Sequence, residues 1–369
     1  MSASRGRLEQ ALLRAWRHRG PIACLLGPLG LLMWVLVGVR RFAWRQGCLS
    51  RRVLPVPVVV VGNRIAGGAG KTPTTLAVLA HLRQRGWRPG VLTRGYGVDL
   101  QGEHRLLDAA TAGQWRAQDT GDEPMLLWRR SGVPIMIGRD RAAAGAALLA
   151  AHPEIDILVC DDGLQHLKLA RDLEIVVFDE RGAGNGWLLP AGPLRESIHT
   201  APGAQDGRPA LVLYNADAPS TALPGHLARR GLAPLVTLAA WQAASLNGPE
   251  ASATTAAPDD APPPRTTLMA YAGIAQPERF FQALRTQGWL VDGRALPDHA
   301  DWRPLPWPAD AEHVVVTEKD AVKLDLTQVQ RERPATTVWV AALHFEPDSA
   351  FWAALDARLP AVPSPPPTA

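Results

Sequence analysis

From residue 56 onward, short unbroken apolar runs alternate with longer stretches whose apolar positions recur at helical spacing. Residues 56–61 are valine apart from Pro57, and a helical pattern over 74–85 follows them. Further runs at 90–92, 133–137, 155–160, 173–178 and 210–213 predict strands, and the alanine-rich stretch 141–151 predicts a helix between two of them. Strands that are apolar on both faces and separated by helices predict an α/β fold, a mostly parallel sheet with helices on both faces. A second group has strands at 235–239, 267–271, 314–317 and 338–342 and a helix at 277–287, which predicts a smaller C-terminal α/β domain.

These patterns divide the chain into four regions. Residues 1–52 form an arm, 53–230 the core, and 231–345 the smaller domain. Residues 346–369 are expected to form a C-terminal helix and a disordered proline-rich tail. Residues 247–265, rich in Ala, Pro, Thr and Asp, read as a linker or insertion. At 369 residues and 47% hydrophobic, the chain is long enough to bury two cores.

Charge changes the picture of the arm. Through Arg52, ten arginines stand against one acid, Glu9, so this segment carries +9; the whole chain is +4, which leaves −5 on the remainder. A basic arm on a mildly acidic body predicts an anionic membrane surface as the arm's partner and gives no case for nucleic acid. The uncharged stretch 22–39 would be about 27 Å long as a helix, borderline for crossing a bilayer. Gly27, Pro28 and Gly30 interrupt it, and arginines flank both ends: Arg14, Arg17 and Arg19 before, Arg40, Arg41 and Arg45 after. Both features favour a segment that dips into one leaflet, or lies in its interface, over a straight spanning helix. Trp16, Trp34 and Trp44 suit the same interface. A core helix of a larger domain is the competing reading. The three cysteines, Cys24, Cys48 and Cys160, form no CxxC pair, which fits a reducing compartment and lends no support to a zinc site.

The strongest local signal is Gly67, Gly68, Ala69, Gly70, Lys71 and Thr72, placed after the first strand and before a helix. Glycines let backbone N–H groups curl round a phosphate, and the helix N-terminus adds positive potential. In such a loop, spanning Ile65 and Ala66 through Thr72, the lysine reaches the β/γ-phosphates and the threonine hydroxyl ligates magnesium. The strict pattern wants glycine where Ile65 stands, so the loop is a variant form. The run 155–160 ends in Asp161 and Asp162, and acids at the C-terminal end of a parallel strand sit beside the phosphate loop. Together the two motifs predict a P-loop fold that binds ATP and magnesium.

Further polar segments are Thr93-Arg94-Gly95-Tyr96-Gly97, Gly121-Asp122-Glu123-Pro124, Asp161-Asp162-Gly163-Leu164-Gln165-His166 and Leu189-Pro190-Ala191-Gly192-Pro193-Leu194-Arg195-Glu196. Later come Ala272-Gly273-Ile274-Ala275, Pro297-Asp298-His299 and Thr317-Glu318-Lys319-Asp320-Ala321-Val322-Lys323. Seven such segments in this order, with the variant loop and the basic apolar arm, resemble the tetraacyldisaccharide 4'-kinase family from about residue 10 to about residue 345. The resemblance implies transfer of the ATP γ-phosphate to the 4'-hydroxyl of a tetraacylated glucosamine disaccharide 1-phosphate. It also implies a monotopic enzyme on the cytoplasmic face of a bacterial inner membrane, with no obligate protein partner.

By the family pattern, Asp122 is the base that takes the hydroxyl proton and His299 pairs with it, while Lys71 serves the transferred phosphate. Read from the residues alone, Asp122 also suits a helix N-cap and His299 a surface turn. Glu123, Asp161 and Asp162 join Thr72 as candidate magnesium ligands. Arg94, Arg141, Gln165, His166 and Arg195 are candidates for substrate binding, since guanidinium forks match phosphate oxygens. For Arg195 the alternative is a local ion pair with Glu196; Tyr96 and Trp187 read as packing. A different class, the membrane-recruited partition ATPases, has a similar loop but carries a lysine just before the glycine pair, where this chain has Ala66.

Overall fold

A computed structural model describes residues 14–200, 207–246, 262, 266–298 and 300–363. The expected linker at 247–265, apart from Pro262, and the end of the proline-rich tail lie outside them, as does His299.

The strands in chain order are β1 (Val58–Gly62), β2 (Pro89–Thr93), β3 (Arg105–Leu107), β4 (Ile135–Ile137), β5 (Ile157–Asp161), β6 (Leu173–Asp179), β7 (Leu211–Asn215), β8 (His226–Leu232), β9 (Val236–Thr237), β10 (Thr267–Ala272), β11 (Leu290–Ala295), β12 (His313–Thr317), β13 (Thr337–Ala341) and β14 (Leu343–Pro347). The helices are α1 (Pro21–Arg45), α2 (Lys71–Gln84), α3 (Ala117–Thr120), α4 (Asp122–Ser131), α5 (Arg141–Ala151), α6 (Leu238–Leu246), α7 (Pro277–Thr286), α8 (Glu318–Ala321), α9 (Leu326–Glu332) and α10 (Ser349–Asp356).

The larger sheet has the order β14-β8-β7-β6-β1-β5-β2-β4-β3, parallel throughout except for β14 and β3 at its edges. The valines of β1 divide by parity, as a two-residue period requires. Val59 and Val61 pack with Val78, Leu79 and Leu82 of α2, whereas Val58 and Val60 face Ala142, Ala144 and Leu148 of α5. Helices therefore cover both faces. β1 lies between β5 and β6, so the chain reverses its direction of strand addition beside β1, and the loop after it opens at the carboxyl edge.

The smaller sheet has the order β11-β10-β12-β13-β9, parallel apart from β9. Its Val314, Val316 and Val338 share one continuous apolar core with Met125 and Leu127 of α4 and with the α2 side of the larger sheet. The region boundaries differ from expectation in two places. β8 runs across the expected 230/231 boundary, and β14 returns at Leu343 to pair with β8, so the smaller sheet is inserted within the larger one. The predicted strand at 235–239 is a two-residue strand that turns directly into α6 at Leu238.

The arm is the clearest departure. Gly27, Pro28 and Gly30 do not break it: α1 is one continuous 25-residue helix with Pro28 inside. One flank is docked on the core. Ala23 and Gly30 are buried, and Met33 and Val37 pack on Ile65, Ala69, Leu188 and Leu194. A Cβ on Gly30 would stand 2.9 Å from the Cβ of Ala191 and 3.2 Å from the Leu188 carbonyl oxygen, so glycine here serves close approach. Trp16 Nε1 donates to the Pro190 carbonyl at 2.9 Å, and the Arg19 guanidinium lies over the Trp187 ring. On the other flank Leu25, Leu29, Leu32, Leu36 and Phe42 are exposed.

Candidate active site

The carboxyl ends of β1, β5, β6 and β7 converge. Gly70 caps α2 in the left-handed region at φ 88°, and a Cβ there would fall 2.2 Å from Asn215 Nδ2 at the end of β7, so both backbone and space demand glycine. The first amides of α2 have no intrahelical partner and point out of the helix start, the arrangement that receives an anion.

The departure from the strict loop pattern has a physical cause. Ile65 is 1% exposed and pairs with Leu194 in an isolated bridge, while the Ala66 amide donates to the Pro193 carbonyl at 2.8 Å. The first part of the loop is thus stitched to residues 188–194 and to α1, and the Ala66 N–H is spent on that stitch. This narrows the expected amide cradle to the stretch from Gly67 onward. From the outside, Arg181 donates to the carbonyls of Ala66 (3.2 Å) and Gly68 (2.7 Å) while bound to Asp179, and Asn63 Nδ2 donates to Gly67 O at 3.0 Å. The carbonyls of Ala66, Gly67 and Gly68 are thus held by side chains, which fixes the backbone of the loop whose amides would receive an anion. Neither Arg181 nor Asn215 belongs to a recognisable motif, although Asn215 ends β7 and Arg181 stands two residues beyond β6.

Asp161 closes β5 opposite Val61 of β1, fully buried, and accepts from Thr75 Oγ1 at 2.7 Å. Loss of water, and then the charges of Glu123 and Asp162, push its carboxyl up to about 7. Asp162 follows at φ 50°, in the left-handed region that Asp enters more readily than most side chains, and its carboxylate lies toward the loop lysine. Lys71 Nζ lies 3.8 Å from Asp162 Oδ2, and Arg195 Nη1 lies 3.2 Å from Oδ1. Arg195 and Glu196 point to different partners, so the local ion pair between them does not form. Glu196 is bound instead to Arg41 of α1 at 2.6 Å.

The other predicted groups divide. Arg141 is 5% exposed, and its Nη2 donates to the Asp162 carbonyl at 3.2 Å, supporting the turn from behind. Gln165 lies in the site, but its amide is engaged by Glu196, Asn63 O and Arg195. His166 is half-buried, with Asp140 at 3.8 Å; loss of water and the nearby Arg141 hold its imidazole down at about 4. Arg94 is exposed just beyond β2. Tyr96 is 74% exposed, which overturns its reading as a packing residue, whereas Trp187 does pack, against α1.

Asp122 opens α4, but the cap position is Gly121, so the capping role does not apply. Its Oδ2 is 3.0 Å from Lys323 Nζ, with both side chains close to buried. Glu123 receives Lys319 Nζ at 3.3 Å, and the same ammonium is 3.8 Å from Asp298. Two lysines from the start of α8 and just beyond it thus reach across to the first two residues of α4.

The donors Thr72, Glu123, Asp161 and Asp162 are all oxygens, the set a hard cation such as magnesium prefers. Among the described residues no three His, Cys, Asp or Glu side chains make a metal cage by themselves. Magnesium is commonly held by one or two carboxylates and completed by phosphate and water. Glu123 and Asp162, whose charges add to burial in raising Asp161, bring surplus negative charge that such a cation would offset, so the residues fit it.

A family model described as Tetraacyldisaccharide-1-P 4'-kinase matches residues 22–360. The tetraacyldisaccharide 4'-kinase of Methylibium petroleiphilum is 55% identical over 355 residues, covering 96% of this chain and 95% of its own length. That of Leptothrix cholodnii is 53% identical, covering 98% and 99% respectively. The fold of the Aquifex aeolicus LpxK, crystallised with ATP, superposes with a TM-score of 0.70 at 23% identity, over 91% of this chain and 99% of that one. A match that runs from the apolar helix to the last strand takes in every element of the site just described, and on this extent and identity the chain belongs to the tetraacyldisaccharide 4'-kinase family.

Proposed function

We propose that the protein transfers the γ-phosphate of ATP to the 4'-hydroxyl of a tetraacyldisaccharide 1-phosphate, at the cytoplasmic face of a bacterial inner membrane. The observation that carries this reading is the gathering of Lys71, Asp162 and Arg195 at the phosphate loop, on a fold shared with an ATP-bound relative. Phosphoryl transfer is mostly positioning and charge stabilisation, and these groups supply both.

In this reading the amides from Gly67 to Thr72 and the Lys71 ammonium hold the triphosphate. Magnesium, held by Thr72 with Glu123, Asp161 or Asp162, would neutralise charge on the phosphates. Asp122 Oδ accepts the sugar hydroxyl proton as the oxygen attacks, and Lys323 keeps that carboxylate aimed. His299, next to Asp298 in the sequence, is in this reading the partner of Asp122 that the family pattern implies. Arg195, held at Asp162, is suited to binding phosphate oxygens of the anionic acceptor.

The docked arm supports delivery from a lipid surface. One flank of α1 is covered by protein along its length and the other is apolar and exposed, which favours a helix lying in one leaflet over one surrounded by lipid. At its foot Gly38, Arg41, Phe42, Arg45, Gln46 and Thr200 line an open groove of about 570 Å³ that mixes apolar and cationic groups. The decisive experiment supplies labelled ATP, magnesium and the lipid disaccharide 1-phosphate. Label transferred to the lipid is the expected result; lipid-independent release of free phosphate points to a membrane-recruited ATPase instead.

A further inference from the structure

The charges of α1 all lie in its last turns, at Arg40, Arg41 and Arg45, and two of them are spent on the core. Arg40 Nη2 donates to the Gln165 carbonyl at 2.8 Å. Arg41 Nη1 is 2.6 Å from Glu196 Oε2, in a pair only 15% and 4% exposed. A helix used only as an apolar anchor has no need of such a pair, because taking two charges out of water carries a desolvation cost that apolar contacts avoid.

Something does lie beyond it. The second oxygen of Glu196 accepts from Gln165 Nε2 at 3.2 Å. Gln165 Oε1 in turn is 3.5 Å from Arg195 Nη1, and the same nitrogen holds Asp162 Oδ1 at 3.2 Å. Asp162 completes the path at Lys71, 3.8 Å away. The backbone runs alongside: Arg195 N donates to Arg64 O at 2.8 Å, and the buried Arg64 guanidinium ties down the carbonyls of Ser197, Ile198 and Thr200. The loop bearing Glu196 is therefore fixed from below; its carboxylate is hydrogen-bonded by Arg41 and Gln165, with the buried Arg64 guanidinium adding a fixed positive charge nearby.

We infer that Glu196 is a positioning residue that couples the docking of α1 to the acceptor side of the active site, so that the arm sets the geometry of Arg195 and Asp162 besides holding the protein at the bilayer. The inference rests on the kinase reading above. Polar chains of this kind act as a unit: breaking any link releases the rest.

The test uses the full-length protein with labelled ATP and the tetraacyldisaccharide 1-phosphate in vesicles of phosphatidylethanolamine and phosphatidylglycerol. Arg41→Gln, Glu196→Gln and the double variant are compared for kcat, KM for the lipid, ATP affinity and co-sedimentation with the vesicles. Each single change is expected to lower kcat about tenfold, with ATP affinity and vesicle binding within about twofold. The double variant is expected to be no worse than the poorer single, and Arg41→Lys to recover part of the loss. If Glu196→Gln does not fold, Arg41→Gln against Arg41→Lys decides alone, because the lysine variant keeps the positive charge and most of the buried aliphatic stem. A loss confined to vesicle binding or lipid KM, or single effects that multiply, overturns the coupling. Wild-type protein that labels no lipid overturns the kinase reading and the coupling with it, whereas active wild type with unchanged variant kcat overturns the coupling alone.

Discussion

Lys323 Nζ stands 3.0 Å from Asp122 Oδ2, joining the motif after β12 to the first residue of α4. Both side chains are about nine-tenths buried, and Lys323 is also 3.7 Å from the fully buried Asp320. Removing the ammonium would leave Asp122 without this close cation. Lys323→Met is expected to lower turnover by about tenfold or more, with ATP affinity within about twofold. Steady-state rates beside calorimetric ATP titration measure both; an unchanged kcat would remove Lys323 from the catalytic arrangement.

Asp122 itself is tested by Asp122→Asn, which keeps the shape and removes the base. The expected loss in kcat is on the order of a hundredfold to ten-thousandfold. Nucleotide binding should be retained, since the triphosphate is held by the loop and Lys71. A variant that loses ATP but keeps its maximal rate would contradict the assignment.

Gly30 and Gly38 lie in the same helix and should respond to alanine with opposite signs. Alanine in a helix normally stabilises by about 1 kcal/mol relative to glycine. Gly38 has no atom within 4 Å of where its Cβ would be, so Gly38→Ala should raise the melting temperature. Gly30→Ala meets Ala191 and the Leu188 carbonyl and should lower it, by overpacking of about 1–3 kcal/mol. Thermal melts of both variants, with protease sensitivity of α1, decide the matter; parallel shifts would mean that α1 is not docked as described.

His166 makes stability depend on pH in a definite direction. Its folded pKa, about 4, lies below the ordinary 6.5, so the unfolded chain takes up more protons between those values. The neutral imidazole costs nothing above pH 6.5, and stability is lost as pH falls from 6.5 toward 4. The loss at pH 5 is about 2 kcal/mol at most. In melts at pH 7.5 and pH 5, His166→Gln should lose less stability between the two than wild type.

The phosphate loop, the central parallel strands and the acids after β5 were readable because each is a local pattern: a run of valines, a glycine cluster, a carboxylate at a strand end. β8 and β14 were not, because their sequences, His-Leu-Ala-Arg-Arg-Gly-Leu and Leu-His-Phe-Glu-Pro, face solvent along much of their length and lack an apolar run. The continuity of α1 through Pro28 was missed for a related reason. The glycine that reads as a breaker in sequence is the contact that seats the helix in space. Glu196, Arg181 and Lys323 acquire their roles from partners 155, 113 and 201 positions away, and no spacing rule reports such meetings.

The chain crosses between its two sheets twice, and the crossings are bonded to each other: Leu232 pairs with Leu343, the Ala233 amide donates to the Ala342 carbonyl, and Val236 pairs with Val340. A two-stranded ribbon of this kind bends readily across its flat face and resists shear in its plane. The smaller sheet is consequently tied to the larger one by a paired strap as well as by the shared apolar core, and the two together seat Lys319 and Lys323 opposite Glu123 and Asp122 as one unit.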